Sequence, residues 1–302
     1  MADGAPVTLF DPYAVRAQFP ILSRQVNGKP LVYLDNGASA QKPRQVIDAI
    51  TRAYEGEYAN VHRGLHFLSN LATDNYERVR AIIAKFLNAP REDEIIFTSG
   101  STEAINLVSY AWAAPRLQAG DEIVLSVLEH HANIVPWNFL RERQGVVLKW
   151  VEPEADGSLP PEKVLAAITP RTRWLLLNSP GNPTGSVYSA EDLMSFAEVL
   201  RRHPQVLVMS DDIYAPLRYT PGAHATLAAL LQQLEPELLG VYWPLDGEFD
   251  PGVLPALLGV PVLALTAQVA IADTVCVVAL PLVIDPPTAG RAALGALAVG
   301  GA

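Results

Sequence analysis

Residues 70–203 alternate between helix-like and short apolar segments, and this alternation constrains the fold more than any other feature of the sequence. Apolar residues recur at spacings of three or four in the first such segment, which predicts an amphipathic helix: Tyr76, Val79, Ile82, Ile83 and Phe86. We predict further helices over 102–112, 133–143, 160–168 and 189–202, and strands over 94–98, 122–127, 146–151, 174–177 and 205–209. Short connections between these elements predict an α/β domain with a mainly parallel sheet and helices on both faces.

The alternation stops in the last quarter of the chain. At 302 residues, half of them hydrophobic, the chain is long enough for one large α/β domain and a smaller unit. Beyond about Leu238 the sequence is dominated by Ala, Leu, Val, Gly and Pro, and no second helix–strand series is legible. We therefore predict a large domain over 1–238 and a divergent tail, of unassigned fold, over 239–302.

Residues 251–272 carry no charged side chain, which raises the question of a membrane span. Pro255, Pro261 and Gln268 interrupt this run, and no Lys or Arg flanks it. We therefore predict buried strands and a short helix here, and no membrane association.

The charge and the cysteine content exclude other classes of protein. A net charge of −10 and a pI of about 5.1 argue against a nucleic-acid surface and favour a small-molecule partner. Cys276 is the only cysteine, so no disulfide can form within the chain. The first ten residues have neither a basic flank nor an apolar core, so we expect no secretory signal and a cytoplasmic protein.

Four polar motifs each follow a predicted strand: Ser99–Glu103, Glu129–Asn133, Asn178–Gly185 and Ser210–Tyr214. The carboxyl ends of parallel strands share one edge of a sheet, where open α/β folds bind ligands. The motifs are therefore expected to meet at one site.

The first two motifs offer a phosphate site and an aromatic ring. Ser101 and Thr102 begin a predicted helix, whose free N–H groups can hold a phosphate, although an ordinary helix cap has the same sequence signature. His130 could stack on a pyridine ring and relay protons. With His131 it could instead bind a metal, for which no third ligand is suitably spaced, or form an exposed or capping pair.

The last two motifs complete a set of contacts that suits pyridoxal 5'-phosphate (PLP). The Asn182 amide could donate to the phenolate oxygen of the cofactor. Asp211, three residues before Tyr214, could keep the pyridine nitrogen protonated, which makes the ring an electron sink. Taken alone, Asp211 could equally be a helix cap.

From Phe19 to about Arg173 the sequence resembles the group II, Suf-type cysteine desulfurases of the class V aminotransferase family. The resemblance rests on five stretches: Phe19–Leu22, Tyr33–Asp35, Ala38–Pro43, Val61–Gly64 and Glu129–Trp137. It implies a fold-type-I PLP-dependent transferase, usually a homodimer, that removes sulfur from L-cysteine. By this resemblance Thr102 binds the phosphate, and His130 stacks on the ring and is the candidate catalytic residue.

Two later segments resemble other families. From about Leu175 to Tyr219 the chain is similar to class I aminotransferases, and the resemblance implies that Asn182, Asp211 and Tyr214 contact the cofactor. Residues 242–251 are similar, over a short stretch, to the folate-substrate segment of 5-formyltetrahydrofolate cyclo-ligases.

The sequence departs from both PLP-dependent families at decisive positions. Those families place a Schiff-base lysine after the position of Asp211, but the last lysine here is Lys163. Cys276 lies in an apolar run and does not match the desulfurase nucleophile. We therefore expect an incomplete large domain with little or no desulfurase activity. The alternatives are a class I-type aminotransferase and a non-catalytic composite or remnant chain.

Overall fold

The computed structural model describes residues 11–36, 38–86, 89 and 91–214, together with the backbone of residues 276–279. The α-helices are α1 (Pro12–Ala17), α2 (Arg44–Arg52), α3 (Phe67–Phe86), α4 (Ser101–Leu107), α5 (Val135–Gln144), α6 (Pro161–Ala166) and α7 (Ala190–Arg201). The strands are β1 (Gln25–Val26), β2 (Lys29–Pro30), β3 (Ile95–Thr98), β4 (Glu122–Ser126), β5 (Val147–Val151), β6 (Thr172–Asn178), β7 (Leu207–Asp211) and β8 (Cys276–Ala279).

The central feature of the fold is a parallel sheet of four strands in the order β5-β4-β6-β7. The central strand β4 is buried along its whole length, as expected for a parallel sheet between helices, whereas the edge strand β5 is partly exposed. The predicted α/β architecture, a mainly parallel sheet with helices on both faces, is confirmed. Two antiparallel pairs accompany the sheet, β1 with β2 and β3 with β8.

Apolar side chains fill both faces of the sheet. On one face, Trp137 and Leu140 of α5 and Ile105 of α4 are buried against the sheet. On the other face, Phe196 and Leu200 of α7 pack on the sheet, and both are fully buried. Helices on both sides thereby leave the carboxyl edge of the sheet for the loops.

Local signals in the sequence explain where several elements begin and end. Ser189 and Asp192 form a reciprocal capping box at the start of α7, so the helix begins where the sequence predicts. Helix α5 ends at Gly145, whose φ of 74° lies in the left-handed region that glycine adopts readily.

Strand β7 differs from its prediction. We expected a strand over 205–209 with Asp211 beyond it, but the strand runs from Leu207 to Asp211 and Asp211 is its last residue. Pro204 and Gln205 lie in a turn, closed by a hydrogen bond from Val206 N to the His203 carbonyl, which delays the strand. Backbone pairing with β6 continues the strand through the polar residues Ser210 and Asp211, whereas the hydrophobic pattern ends at Met209. Asp211 also accepts a hydrogen bond from Ile213 N, and residues beyond 214 lie outside the described part of the chain, so the alternative of Asp211 as a helix cap stays open.

Strand β8 comes from the predicted tail and pairs with β3, with Thr98 opposite Cys276 and Ile95 opposite Ala279. The predicted boundary at residue 238, the segment 242–251 and the apolar run 251–272 lie outside the described residues. The division into domains stays a prediction.

Candidate functional site

The parallel strands bring their last residues to one edge of the sheet. Asn178 ends β6 and pairs with Asp211, which ends β7. Asn178 Nδ2 also donates a 2.6 Å hydrogen bond to the Asp211 carbonyl. The third and fourth polar motifs are therefore joined at the carboxyl edge, and β4 ends at the same edge with Ser126.

The carboxyl group of Asp211 lies close to the motif that follows β4. Asn133 Nδ2 donates a 2.9 Å hydrogen bond to Asp211 Oδ2, and Ile213 N donates one of 3.3 Å to Oδ1. Burial raises the pKa of Asp211 above its ordinary range, although these two hydrogen bonds and nearby His130 oppose the change. Asp211 is thus a half-buried acid for which a cationic partner would be favourable.

A second carboxyl group, that of Glu129, shares the same amide. Glu129 accepts hydrogen bonds from Ser126 Oγ and from Asn133 Nδ2, both at 3.2 Å. Burial raises the pKa of Glu129 to about 7, and the charge of Asp211 contributes to the increase. Glu129 in turn adds to the effect of burial in raising the pKa of Tyr188.

His130 lies at the surface, at the start of a 3-10 turn formed by residues 131–133. Its Nδ1 accepts a 3.2 Å hydrogen bond from Ala132 N, so the neutral ring carries its hydrogen on Nε2. His131 lies edge-on to this ring, with 6.1 Å between the ring centroids. The structure therefore shows the exposed, capping arrangement, and it leaves Nε2 of His130 oriented away from that cap.

Asn182 and Tyr214 are in direct contact. Asn182 Nδ2 donates a 3.1 Å hydrogen bond to Tyr214 Oη, and Asn182 N donates one of 2.9 Å to Asn178 Oδ1. The loop after β6 is thus tied both to the strand it leaves and to the residue that follows β7.

The predicted phosphate motif starts α4, which contacts the 3-10 turn that follows His130. The Ser101 hydroxyl is buried and has no hydrogen-bond partner in the part of the chain that the structure describes. Thr102 is exposed. Glu103 accepts hydrogen bonds from the backbone N–H and the hydroxyl of Ser99, which lower the pKa of Glu103. An orphaned hydroxyl at a helix start is what a phosphate-binding turn offers to its ligand.

A cavity of about 330 Å³ opens beside this edge, on the side of α6 and α7. Asn182, Asn178 and Glu129 line it, together with Ser126 and Tyr188. Ser101, Thr102, His130, Asp211 and Tyr214 do not line this cavity.

Two further properties concern the described residues alone. None of their helices is long and apolar enough to cross a membrane. Among them, no three His, Cys, Asp or Glu side chains are grouped as a metal site.

Comparison with known proteins identifies the family. The model of the family Aminotransferase class-V matches residues 32–213. The chain belongs to the class-V aminotransferase family. A cysteine desulfurase of Salmonella gallinarum is 48% identical over 183 residues, which cover 61% of this chain and 45% of the relative. The chain therefore spans about half the length of the curated relatives it matches.

Solved structures of this kind resemble the fold. An apo cysteine desulfurase from Thermococcus onnurineus is 29% identical, with a TM-score of 0.58 over 67% of this chain and 47% of that one. A cysteine desulfurase from Escherichia coli is 38% identical, with a TM-score of 0.55 over 67% of this chain and 49% of that one. These likenesses confirm the predicted class V and cysteine desulfurase resemblance.

The structure adds residues for which the sequence suggested no role. Asn133 and Asn178 fix the ends of the strands and the carboxyl group of Asp211. Glu129, within the second motif, couples to Asp211 through Asn133. An asparagine just before a helix has an ordinary explanation as a capping residue, so the sequence offers no distinct signal for Asn133.

Proposed function

We propose that this chain binds PLP at the carboxyl edge of the sheet and is a cysteine desulfurase-like protein, acting on L-cysteine. The carboxyl group of Asp211 at the end of β7 is the observation that carries the proposal, because an acid that forms no ion pair with Lys or Arg among the described residues suits a protonated pyridine nitrogen. When bound, PLP supplies an electron sink for bonds of an amino acid. The family assignment and the similarity to named cysteine desulfurases support the choice of reaction.

The remaining site residues fit the other parts of this cofactor. Ser101 and Thr102 would hold the phosphate, and the unpaired Ser101 hydroxyl supports that role. His130 would lie on the ring, with Nε2 available to donate or accept a proton. The Asn182 amide and the Tyr214 hydroxyl, already hydrogen-bonded to each other, would contact the phenolate oxygen.

The test is ligand binding, because it does not depend on turnover. Pyridoxamine 5'-phosphate is titrated by equilibrium dialysis into the parent, Asp211→Ala and Asp156→Ala, the last removing an exposed carboxylate that is not among the proposed cofactor contacts. Loss of a hydrogen bond to a charged group costs about 1.5–3 kcal/mol, so Asp211→Ala should weaken binding about 10- to 150-fold while Asp156→Ala binds normally. Equal affinity in all three proteins would refute the role of Asp211.

A class I-type aminotransferase is the second candidate, and the hydrogen bond between Asn182 and Tyr214 favours it. Product analysis separates the two reactions. With a thiol reductant present to supply two electrons, a desulfurase converts L-cysteine to alanine and sulfide, whereas an aminotransferase passes the amino group to a 2-oxo acid. A protein that binds PLP but catalyses neither reaction would be the non-catalytic chain that the sequence offers as an alternative, with the desulfurase activity lost.

We also propose a cytoplasmic homodimer. Exposed large apolar side chains concentrate in the first 70 residues, and isolated chains rarely leave so many in water. They include Val32, Leu34, Tyr54, Tyr58, Leu65 and Phe67. Sedimentation equilibrium should show a dimer that Leu34→Glu weakens, whereas Met194→Glu, a comparably apolar exposed position on α7, leaves it intact. A monomeric parent would refute the dimer.

A further inference from the structure

One amide group bridges two carboxyl groups behind the candidate ring site. Asn133 Nδ2 lies 2.9 Å from Asp211 Oδ2 and 3.2 Å from Glu129 Oε2. Asn133 is 1% exposed. Its two amide hydrogens are thus used on the two acids, while its Oδ1 is buried and has no partner among the described residues. The opposite orientation would direct that oxygen at both carboxyl groups, so the acids determine how the amide is placed.

The charges around this pair do not neutralise it. In the part of the chain that the structure describes, neither Glu129 nor Asp211 forms an ion pair with Lys or Arg. Asp212, the residue after β7, places a further negative charge near Asp211. Tyr188, just before α7, lies near Glu129 and presents a neutral phenol. Among these neighbours, only the exposed His130 interacts favourably with the negative charge of Asp211.

Two acids that share one buried amide are costly to ionise together, because the charge of Asp211 raises the proton affinity of Glu129. Burial and the charge of Asp211 raise the pKa of Glu129 to about 7, and burial raises that of Asp211. Near neutral pH the pair therefore retains a proton that two isolated carboxyl groups would have lost.

We propose that Glu129 and Asp211 hold one proton between them across the Asn133 amide, and that a pyridinium ring bound at Asp211 displaces this proton. The second half of this inference rests on the proposed PLP site. A positive ring nitrogen beside Asp211 compensates its charge, so Glu129 ionises and its proton passes to water. Glu129 lines the 330 Å³ cavity, which gives the proton a route to solvent. Glu129 is thus a positioning residue that tunes Asp211.

Linkage makes this coupling reciprocal. If a ring cation favours ionised Glu129, then ionised Glu129 favours the ring cation by the same factor. The ring-protonated form of the cofactor should therefore be held more tightly above the titration midpoint of Glu129 than below it.

The shared proton is tested on the free protein by ¹³C NMR of labelled Glu and Asp carboxyl groups between pH 5 and 9. We expect one Glu signal with a midpoint near 7. It should vanish in Glu129→Gln and move down by about one pH unit in Asp211→Asn, where the like charge is gone. It should stay in Glu162→Gln, which removes an exposed acid that lines the same cavity. An unmoved midpoint in Asp211→Asn would overturn the shared proton, and Asp211→Asn still decides the matter if Glu129→Gln fails to fold.

The displacement is tested by repeating the titration with two saturating ligands. Pyridoxamine 5'-phosphate should lower the Glu129 midpoint by about one pH unit, whereas benzyl phosphate, which lacks the ring nitrogen, should not. An unchanged midpoint with bound pyridoxamine 5'-phosphate would overturn the displacement but leave the proposed cofactor site standing. No binding at all would overturn both the proposed function and the displacement, while the result on the free protein would still decide the shared proton.

Discussion

Replacing Glu129 with Gln should remove a large pH dependence from the stability of the fold. Folding raises the pKa of Glu129 from its ordinary value of 4.5 to about 7. Between these pH values the folded chain binds the proton more tightly than the unfolded chain, so the free energy of unfolding falls as the pH rises and is constant above about pH 7. A displacement of one pH unit corresponds to about 1.4 kcal/mol, so Glu129 should cost the folded chain about 3 kcal/mol at pH 8 relative to pH 4.5.

Urea unfolding at a series of pH values from 5 to 8 measures this effect, with the fluorescence of buried Trp137 and Trp174 as the signal. The difference in unfolding free energy between Glu129→Gln and the parent should grow by about 2–3 kcal/mol in favour of the variant across this range, at equal denaturant dependence. The matched control is Glu162→Gln, which should follow the parent. Parallel curves for the parent and Glu129→Gln would refute the assignment of a buried, proton-retaining acid.

Three further substitutions test the fold around the site, each by urea unfolding at pH 7. Trp137→Ala, at a fully buried position of α5, should cost about 3–5 kcal/mol, and a loss below about 1 kcal/mol would contradict its core position. Ser189→Ala should cost about 1 kcal/mol through the lost cap of α7, whereas an unchanged stability would mean that the capping box contributes nothing. Glu122→Ala should cost about 1.5–3 kcal/mol, because Thr169 and Arg171 lose a charged hydrogen-bond acceptor. Although burial raises the pKa of Glu122, its hydrogen-bonding and charged partners lower the pKa overall. The contribution of Glu122 to the free energy of unfolding should therefore be present above about pH 4.5 and fade as the pH falls further. A destabilisation by Glu122→Ala that persists at pH 3 would contradict this.

The sequence predicts the sheet well because the parallel strands are mostly apolar runs between clear breaks, although Lys149 interrupts β5. Strand β4 is the best case, since all its residues are buried and the predicted and observed bounds differ by one residue. Strand β7 is the counterexample: hydrophobicity ends at Met209, but backbone pairing continues to Asp211. The polarity of a residue indicates whether its side chain prefers water, but it does not end a strand whose backbone stays paired with the neighbouring strand.

The site was less predictable because it depends on contacts between distant segments. The sequence places His130, Asn182 and Asp211 at strand ends, which the fold reproduces. It does not reveal that Asn133 reaches across 78 residues to hold Asp211, or that the same amide holds Glu129. An asparagine near a helix start has an adequate local explanation as a capping residue, so no pattern within one segment distinguishes the two roles.

The positions of the lysines lead to the last prediction, that any PLP bound here is held without a covalent bond to the chain. The 302 residues contain five lysines, all before the strand that ends in Asp211: Lys29, Lys42, Lys85, Lys149 and Lys163. Lys149 points toward Glu122 at the opposite, amino end of β4, with 4.0 Å between Nζ and Oε2. Lys163 lies 2.8 Å from Glu154. Neither is directed at Asp211.

Without such a lysine these 302 residues supply neither covalent activation nor a lysine amine as proton carrier, which leaves His130 as the candidate relay; one positioned acid–base group is worth about 10²- to 10⁴-fold in rate. We therefore expect sulfide release from L-cysteine to be slower by at least that factor than in an enzyme with the lysine. Borohydride reduction of the protein with PLP, followed by peptide mass spectrometry, tests the attachment, and a sample reduced without PLP is the control. Scattered, substoichiometric labelling is the expected result, because exposed amines react without selection. One phosphopyridoxyl group per chain on a single lysine would contradict the prediction, since it would require a lysine side chain to reach the edge of the sheet where Asp211 lies.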